Sequence, residues 1–390
     1  MSMGDERVEL VFRSLAYSMP GSRMMCRNRR DAAVELSLCM IVKNEEKSLG
    51  ACLESVKDAV DEIVIVDTGS SDGTKAVAAR YTDRVLDVTW TDDFSAARNA
   101  SMEAATKPFI LWLDADDVLD PPESEKLAAL KARLGDHVDA VMMPYHYGFS
   151  PDGSPALVFD RERIVRRAAG FAFEGAVHEV MAVSGHVIRE EIIVRHTGSH
   201  GESSNRRNLA IYRRLLERGT PMTARDWYYY ARELKSAGEY AEALNAFDRF
   251  LAMDGWLENR LDAQIGKGEC HRALGDGHAA KAAYFTAMAQ GTPRAEALCA
   301  MGECLLEEGN LPAAAFWYRA ALQCDLPADP RAFVFPDAYG YVPLMQLCVI
   351  YDRLGDSARA SRMNEQALLL HPGDAAALSN RAYFAQRLKE

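Results

Sequence analysis

The chain has 390 residues, of which 48% are hydrophobic and 26% are charged, and its formal net charge at pH 7 is −12. This length and composition are typical of two or three soluble domains. The net negative charge argues against a non-specific nucleic-acid binder, which needs a basic face. No apolar run approaches the length of a membrane span or a signal-peptide core, and the eight cysteines form no CxxC pair. We therefore expect a cytoplasmic protein with reduced thiols, without a nucleic-acid partner or stable membrane insertion.

Residues 1–34 show little hydrophobic periodicity, and we expect them to form a flexible N-terminal extension. We interpret the basic cluster Arg27–Arg30 as a solvated leader. Contact of this cluster with a membrane surface is the alternative.

A βαβ unit is predicted to follow. Leu36 to Val42 has the pattern of a strand, Lys47 to Val60 that of an amphipathic helix, and Ile63 to Val66 that of a second strand, which should be parallel to the first. The octet from Asp67 to Thr74 combines glycines with Asp, Ser and Thr residues that can cap a helix from Thr74 to Tyr81. Taken alone, this octet could be only a tight strand-to-helix turn.

Three carboxylates follow the next buried strand. The apolar run from Phe109 to Leu113 ends directly in the sequence DADD at 114–117. Carboxylates at the end of a buried strand must be compensated, because burial of an unpaired charge is costly. They either cap the helix that begins at Pro121 and Pro122, or they bind a hard divalent cation through their oxygens.

Polar residues recur at the ends of these strands. Alternating strands and helices predict an open α/β sheet, whose ligands bind outside the carboxyl ends of the strands. Asn44, Asp67 and the carboxylates at 114–117 all lie at such ends. A predicted helix that begins near Phe94, within the segment 92–105, places Arg98 and Asn99 in its first turns. We therefore expect a single binding site at this edge of the sheet.

Four motifs in this region carry a family resemblance. LCMIVKNEE, IVIVDTGSSDGT, DDFSAARN and LWLDADD occur within about 80 residues in this order. Together they resemble the donor-binding half of a family 2 glycosyltransferase with the GT-A fold. The resemblance implies a Rossmann-like α/β domain with a mostly parallel sheet and a nucleotide-sugar donor, usually a uridine diphosphate (UDP) sugar. The phosphate-binding patterns GxxxxGK[ST] and GxGxxG after a strand are missing from the sequence.

The resemblance also implies roles for individual residues. Asp116, with Asp114 beside it, would belong to a D-x-D element that holds Mn²⁺ or Mg²⁺ on the donor diphosphate. Acidic oxygen ligands suit these ions better than zinc. The nucleotide-sugar site would comprise Asn44, Glu45, Asp67, Gly69, Arg98, Asn99, Asp114 and Ala115.

The acceptor side of the site is predicted further along the chain. Residues 140–146 and 156–164 flank the turn SPDGSP and are predicted to pair as antiparallel strands. The segment FAFEGAVHEVMAV follows, with Glu174, His178 and Glu179 among apolar residues. Inverting transfer needs a carboxylate that takes the proton of the acceptor. The His-Glu pair resembles a motif of enzymes related to the bacteriocin S-glycosyltransferases, so we assign Glu179 as the base with His178 beside it. Glu174 is the alternative base, and a surface Glu beside a structural His is the alternative to any catalytic role.

The last strand of this domain is predicted at 192–196. In GT-A enzymes a late histidine often completes the metal shell, and His196 has the matching strand-end position. A structural histidine is the competing interpretation. His200 is the alternative histidine for this metal-ligand role.

Helical repeats are predicted from about Thr220 onward. Glycines recur at 238, 275, 309 and 355, together with Ala and aromatic residues at fixed offsets, and a capping helix is predicted at 375–388. This pattern resembles a tetratricopeptide array, an all-α solenoid in which small residues let neighbouring helices stack. The segment 325–340 lengthens one linker as an inserted loop. The aromatic run 227–230 is predicted to pack between the helices. The domains are then 35–200 (GT-A), 201–223 (connecting helix) and 224–390 (repeats).

These patterns predict a metal-dependent inverting glycosyltransferase that moves a hexose from a UDP-sugar to a peptide or protein acceptor. The peptide acceptor is an analogy with bacteriocin glycosyltransferases of similar layout. Transfer to a cell-surface polysaccharide or a lipid-linked precursor is the alternative within the enzyme class. A scaffold without turnover, which binds a partner through its repeats, is the alternative outside it. The repeats are also a candidate homodimer surface.

Overall fold

The computed structural model describes residues 34–150, 152–198 and 202–388. The N-terminal extension predicted at 1–34 and the substitute ligand His200 therefore lie outside the described residues, except for Val34. The sheet domain, residues 36–196, contains helices α1 (Leu49–Val56), α2 (Thr74–Ala78), α3 (Phe94–Ala104) and α4 (Pro121–Lys131), and strands β1 (Leu36–Val42), β2 (Glu62–Asp67), β3 (Val85–Asp87), β4 (Phe109–Trp112), β5 (Asp117–Val118), β6 (Ala140–Phe149), β7 (Pro155–Arg166), β8 (Phe173–Glu174), β9 (Val180–Met181), β10 (Val187–Arg189) and β11 (Val194–His196).

The main sheet has the strand order β3-β2-β1-β4-β7-β6-β11-β5, and β10 pairs with β6. Its first half is parallel, because β1 pairs in parallel with both β2 and β4, and β2 with β3. The second half is mixed, with β7 antiparallel to β4 and β6. Val42 lies opposite Asp67 in the register, and Cys39 lies opposite Trp112. The carboxyl ends of β1, β2 and β4 therefore meet at one edge, as the sequence predicts.

The central strands are buried on both faces, which explains their continuous apolar runs. In β1, Leu38 and Met40 pack into one hydrophobic cluster with helix α1, while Cys39 belongs to a cluster on the other face with Ile110 and Trp112. The predicted hairpin is confirmed, since β6 and β7 form a long antiparallel pair. Helix α1 is shorter than the predicted 47–60, because residues 45–48 form a turn before it.

The second half of the described chain is helical. Helix α5 (Glu202–Glu217) connects the sheet domain to the repeat array, residues 224–387. The array consists of the pairs α6 (Ala224–Ser236) and α7 (Tyr240–Leu251), α8 (Leu257–Ala273) and α9 (Gly277–Gln290), α10 (Ala295–Glu307) and α11 (Leu311–Ala321), α12 (Tyr341–Arg353) and α13 (Ser357–Leu370), with α14 (Ala375–Arg387) as a cap. The glycine after the first helix of each pair adopts a left-handed conformation, with φ between 76° and 83° at Gly238, Gly275, Gly309 and Gly355.

Small residues let aromatic rings pack between paired helices. A Cβ added at Gly268 on α8 would lie 2.2 Å from a ring atom of Tyr284 on α9, and one at Gly302 would lie 2.9 Å from Tyr318. Both tyrosines are buried. In the first repeat, Tyr228 and Tyr230 are buried as predicted. The recurrence of glycine and aromatic residues in the sequence is therefore a packing requirement of each helix pair.

The insert, residues 325–340, returns to the sheet domain. Backbone hydrogen bonds of 2.9 and 3.0 Å join Val158 on β7 to Val334, and the amide of Asp160 donates to the carbonyl of Pro330 at 2.7 Å. The ring of Phe333 packs edge-on against Phe159 at 4.8 Å. The insert therefore connects the middle of the repeat array to strand β7.

None of the helices in the described ranges has the length and apolar character needed to cross a bilayer. The seven cysteines within these ranges carry free thiols.

Candidate active site

A large cleft lies at the carboxyl ends of β1, β2 and β4 and extends onto the repeat array. Its volume is about 2420 Å³, and its walls include residues of the sheet domain, α5, the first two repeats and the insert. Nine of the residues predicted for the site line this cleft: Asn44, Glu45, Arg98, Asp114, Ala115, Asp116, His178, Glu179 and His196. Residues that are up to about 150 positions apart in the sequence thus share one cavity.

Asn44 and Asp67 organise the loops at one end of the cleft. Asn44 has φ 59°, and its side-chain oxygen accepts from the amide of Ser71 at 2.8 Å. Oδ1 of Asp67 accepts from the amides of Gly69 and Ser70, each at 2.8 Å. Burial would raise the pKa of Asp67, but the hydrogen bonds from Ser70 and Gly69 lower it below its usual value. Its Oδ2 is buried without a hydrogen-bond partner in the described part of the chain, and such an atom is a candidate acceptor for a ligand donor.

Arg98 joins two of the predicted site carboxylates. Its Nε donates to Oε1 of Glu179 and its Nη2 to Oδ1 of Asp114, each at 2.5 Å. The guanidinium also lies over the ring of Trp112, 4.8 Å from the centroid. Burial alone would raise the pKa of both carboxyls, but the Arg98 charge between them lowers both below their usual values. Both groups are therefore held as carboxylates inside the cleft.

Asp117 has a structural position behind the cleft. Its Oδ1 accepts from the hydroxyl of Tyr145 at 2.8 Å, and its Oδ2 accepts from the amide of Asp114 at 3.0 Å. Arg163 on β7 pairs with the same carboxylate at 3.0 Å, and both side chains are fully buried. Asp117 therefore does not cap the next helix. The residue at the N-cap position of α4 is Asp120.

Asp116 and His196 meet at the end of strand β11. Nδ1 of His196 lies 3.4 Å from Oδ1 of Asp116 and 3.5 Å from Oδ1 of Asp117. The backbone of Thr197 donates to the carbonyl of Asp116 at 2.8 Å, and a Cβ at Gly198 would lie 1.9 Å from Oδ2 of Asp116. The end of strand β11 is thus fitted around the Asp116 carboxylate. Although burial opposes it, the two carboxylates raise the pKa of His196 to about 10, which marks an excess of negative charge here.

This donor set fits a divalent cation. Asp116, Asp117 and His196 offer ligand atoms within 4.8 Å of one another. Since the carboxylate of Asp117 is already bonded to Arg163 and Tyr145, Asp116 and His196 are the members with capacity for an ion. Carboxylate and imidazole ligands are compatible with Mn²⁺.

The predicted partner of Asp116 in the metal shell needs correction. Asp114 was expected beside Asp116 in this shell, but its carboxylate is engaged by Arg98, and Asp117 lies near His196 instead. The cause is the turn at 114–117, in which the amide of Asp114 donates to Asp117.

Asn99, expected at the donor site, lies outside the lining of the cleft. Its side-chain nitrogen donates to the carbonyl of Phe173 at 2.9 Å, and its side-chain oxygen accepts from the amide of Phe173 at 2.8 Å. These two bonds fasten α3 to strand β8, so both polar atoms of the Asn99 side chain are engaged there. Asp67 and Gly69 also lie outside the lining, whereas Thr68 between them is part of it.

The two glutamates considered as the base differ in position. Glu174 is exposed on β8 and does not line the cleft, whereas Glu179 is buried in the cleft with 8% exposure. Arg98 occupies only Oε1 of Glu179. Among the described residues, no hydrogen bond is formed by Oε2, which leaves one carboxylate oxygen for an acceptor hydroxyl, thiol or amide.

Several residues that line or support the cleft were missed in the sequence. Arg163 lies in a strand pattern that predicts only alternation, and its pairing with Asp117 depends on the β4–β7 register. Arg207 on α5 lines the cleft over the ring of Phe94, at 4.9 Å, and makes no ion pair within the described ranges. Glu233 on α6 bonds His178 across 55 positions of sequence. Of these three residues, only Arg207 had a local signal in the sequence, namely the basic pair at 206–207.

The fold and the cleft define a GT-A type domain, with a mixed sheet and an acidic strand-end site, followed by tetratricopeptide-like repeats. Residues 37–193 match the family model described as glycosyl transferase family 2. The sheet domain is therefore a family 2 glycosyltransferase domain.

Curated relatives match parts of the chain. The SPbeta prophage-derived glycosyltransferase SunS of Bacillus subtilis is 30% identical over 219 residues, which are 53% of this chain and 50% of that protein. A TPR repeat-containing protein of Synechococcus elongatus is 52% identical over 88 residues, 23% of this chain and 22% of that protein. The lipopolysaccharide core biosynthesis glycosyltransferase LpsC of Rhizobium meliloti is 34% identical over 164 residues, 39% of this chain and 58% of that protein. The chain thus spans between a fifth and three fifths of these relatives.

Proposed function

We propose that this protein is an inverting, metal-dependent glycosyltransferase that moves a hexose from a UDP-sugar to a peptide or protein acceptor. One observation carries the proposal. Glu179, with one free carboxylate oxygen, lies in the same cleft as Asp116 and His196, and Arg98 connects it to Asp114. A base and a cation-binding pair in one cavity are what a displacement at a sugar diphosphate requires.

The donor end of the cleft would hold the nucleotide. Asp67, predicted near the base and ribose, would act through the turn that it holds at Gly69 and Ser70, and Asn44 fixes the loop beside it. Asp116 and His196 would hold Mn²⁺ or Mg²⁺. Such an ion, when bound, supplies positive charge that stabilises the departing diphosphate. Arg207 is the nearby guanidinium that can contact the diphosphate oxygens.

Glu179 would act on the acceptor. Its Oε2 takes the proton of the acceptor nucleophile, which then attacks the anomeric carbon from the face opposite the diphosphate. The bond from that carbon to the diphosphate oxygen breaks, and the configuration inverts. Arg98 keeps Glu179 ionised before the reaction and fixes the carboxylate through Oε1.

The repeat array would bind the acceptor. The cleft continues past Glu179 to Tyr229 on α6, to Trp256 at the start of α8, and to Phe333 in the insert. A chain-like acceptor can lie along these aromatic side chains, and arrays of this type present extended concave surfaces.

The decisive experiment measures UDP release from UDP-glucose with Mn²⁺, with and without EDTA, in the presence of candidate peptides. We expect metal-dependent release that Asp116→Ala and Glu179→Gln abolish, with the mass of one hexose added to the peptide. Absence of donor binding would contradict the proposal and favour a scaffold that binds a partner without turnover. A donor screen would identify the sugar.

A glycan acceptor is the second candidate function, and Trp256 favours it. Trp256 is 39% exposed and lines the cleft together with Asp254 and Asn259, an arrangement on which a sugar ring can pack. The resemblance to the lipopolysaccharide core enzyme LpsC agrees with this candidate. Parallel assays with a peptide library and with core oligosaccharides would separate the two, and Trp256→Ala should raise the acceptor KM in either case.

A further inference from the structure

The first repeat helix holds the loop that carries Glu179. His178, immediately before the proposed base, has φ 53°, in the left-handed region that non-glycine residues rarely adopt. Three residues of α6 contact it. Nε of Arg225 donates to its carbonyl oxygen at 2.9 Å, the ring of Tyr229 stacks on its imidazole at 4.3 Å, and Oε1 of Glu233 lies 2.6 Å from its Nε2.

Glu233 is itself held in place. It is 8% exposed, and its carboxylate accepts from the side-chain nitrogens of Asn208 at 2.8 Å and Asn205 at 2.5 Å. Burial would raise the pKa of Glu233, but the bonds from His178 and the two amides lower it. An ionised carboxylate can only accept, so Nε2 of His178 is the protonated nitrogen that donates to it. The imidazole is thus locked in one orientation.

An uncommon backbone conformation persists only where its surroundings determine it. At His178 the determining contacts come from the repeat array as well as the sheet domain. The hydrophobic cluster that contains Val177 also contains Tyr212 on α5 and Tyr228 on α6. Residues of the array therefore contribute to the direction in which Glu179 leaves this turn.

We infer that Glu233 is a positioning residue for the transfer reaction, and that through His178 helix α6 directs the Glu179 carboxylate toward Arg98 and the acceptor. This inference rests on the proposed function, because it assumes that Glu179 is the base. It gives the first repeat a role in the chemical step, separate from any role of the array in binding the acceptor.

The test compares three variants of the full-length protein. Glu233→Ala removes the acceptor of the His178 hydrogen bond, Glu233→Gln keeps an oxygen that can accept it, and Lys235→Ala is the matched control. Lys235 lies on the same helix but pairs with Glu269 on α8, away from the cleft. Melting temperature and UDP binding are measured for each variant together with kcat and KM.

We expect Glu233→Ala to lower kcat by about 10²-fold, as small misplacements of catalytic groups do, with the donor KM and UDP binding within about twofold of wild type. Glu233→Gln should recover most of the loss, and Lys235→Ala should match wild type. A kcat for Glu233→Ala equal to that of Lys235→Ala would overturn the inference. So would a loss that Glu233→Gln does not recover in a variant that still melts and binds UDP like wild type.

The outcomes also separate this inference from the proposed function. If wild type turns over and Glu179→Gln abolishes turnover, the proposed function stands whatever Glu233 does. If Glu179→Gln retains the wild-type kcat, the assignment of the base fails, and the inference about Glu233 fails with it.

Discussion

Arg163 and Asp117 form an ion pair that is closed off from solvent beneath the active-site cleft. Their charged atoms are 3.0 Å apart, and neither side chain is exposed. The guanidinium also packs over the rings of Trp112 at 4.1 Å and Tyr145 at 4.3 Å. The pair connects β7 to the turn that carries Asp114 and Asp116, so it supports the site without reaching it.

Breaking this pair should destabilise the protein strongly. Asp117→Asn leaves the Arg163 charge buried and uncompensated, for which we expect a loss of about 3–5 kcal/mol in the free energy of unfolding. Urea denaturation measures it. The control is Asp120→Ala, because Asp120 pairs with Arg195 at 2.9 Å where both side chains are partly exposed, and its loss should cost about 0–1 kcal/mol. Equal losses for the two variants would contradict this prediction.

Metal binding should depend on Asp116 and much less on Asp114. We expect Asp116→Ala to abolish the binding of Mn²⁺, because the carboxylate beside His196 is removed, while Asp114→Asn retains it because Asp114 faces Arg98. Electron paramagnetic resonance of free Mn²⁺ in a titration gives both affinities. If Asp114→Asn lost Mn²⁺ binding and Asp116→Ala retained it, Asp114 would be a metal ligand after all.

Removal of Arg98 should change the pH dependence of transfer. In the wild type the Arg98 charge holds the pKa of Glu179 below its usual value, whereas burial alone would raise it. In Arg98→Met the pKa of Glu179 should therefore rise, so kcat should fall at the acid end of the profile and recover as pH rises. A kcat–pH profile checks this.

Arg161→Met provides the graded control for that profile. Arg161 packs on the same Trp112 ring, at 4.8 Å, but pairs with Glu162, so its removal should shift the profile less. A loss in Arg98→Met that is constant at all pH values would indicate misplacement of groups rather than a changed pKa.

The His371 contacts should make stability depend on pH. His371, at the end of α13, bonds Asp152 in the β6–β7 turn and Asp337 in the insert, the latter at 2.9 Å. Although burial opposes it, these carboxylates raise the pKa of His371 above its usual value, while the bonds from Ser154 and His371 lower that of Asp152 to about 2.

The direction of the pH dependence of stability follows from these two pKa shifts. The His371 contribution is fully present below its unfolded pKa of about 6.5 and is lost as pH rises through the raised folded value. Wild type should thus exceed His371→Gln in stability by about 1–3 kcal/mol at pH 6 and by less at pH 9. The Asp152 contribution is lost at the acid end, as pH falls from about 4 toward about 2. A stability difference that is the same at pH 6 and pH 9 would contradict the charged pairing.

Packing in the repeats should be intolerant of one added methyl group. Gly268→Ala places a Cβ against the buried ring of Tyr284, for which we expect a loss of about 1–3 kcal/mol. At Gly277, where the nearest atom is a flexible Glu308 oxygen at 3.4 Å, alanine should be neutral or stabilise by up to about 1 kcal/mol. Thermal melts of the two variants test the prediction, and a neutral Gly268→Ala would contradict it.

Local patterns were enough to predict the longer strands, the repeats and most of the residues that line the cleft among those assigned to the site. Asn44, Asp67 and Asp114 each follow a strand with a continuous apolar run, so parallel pairing alone brings them to one edge. The left-handed glycines of the repeats were visible as spacing in the sequence. These features depend on interactions within about 75 residues of the chain.

The remaining features depend on partners that no local pattern specifies. Arg98 on α3 and Arg163 on β7 decide which carboxylate of the 114–117 turn faces His196. The contact of Glu233 with His178 requires the docking of a second domain. Asn99 was assigned to the donor site on its motif, and its bonds to Phe173 became visible only with strand β8 in place.

The backbone bonds between Val158 and Val334 give the repeat array a mechanical constraint. Arrays of this kind usually have stabilising contacts only between neighbouring repeats, so they can bend elastically and can unfold locally from a free end. Here the first repeat is fastened to the 177–179 loop and the insert is fastened to β7, so the intervening helices are tethered at both ends. The curvature of these helices is then fixed by the sheet domain. We expect the amide hydrogens of α6–α11 to exchange in a single cooperative event with those of β7.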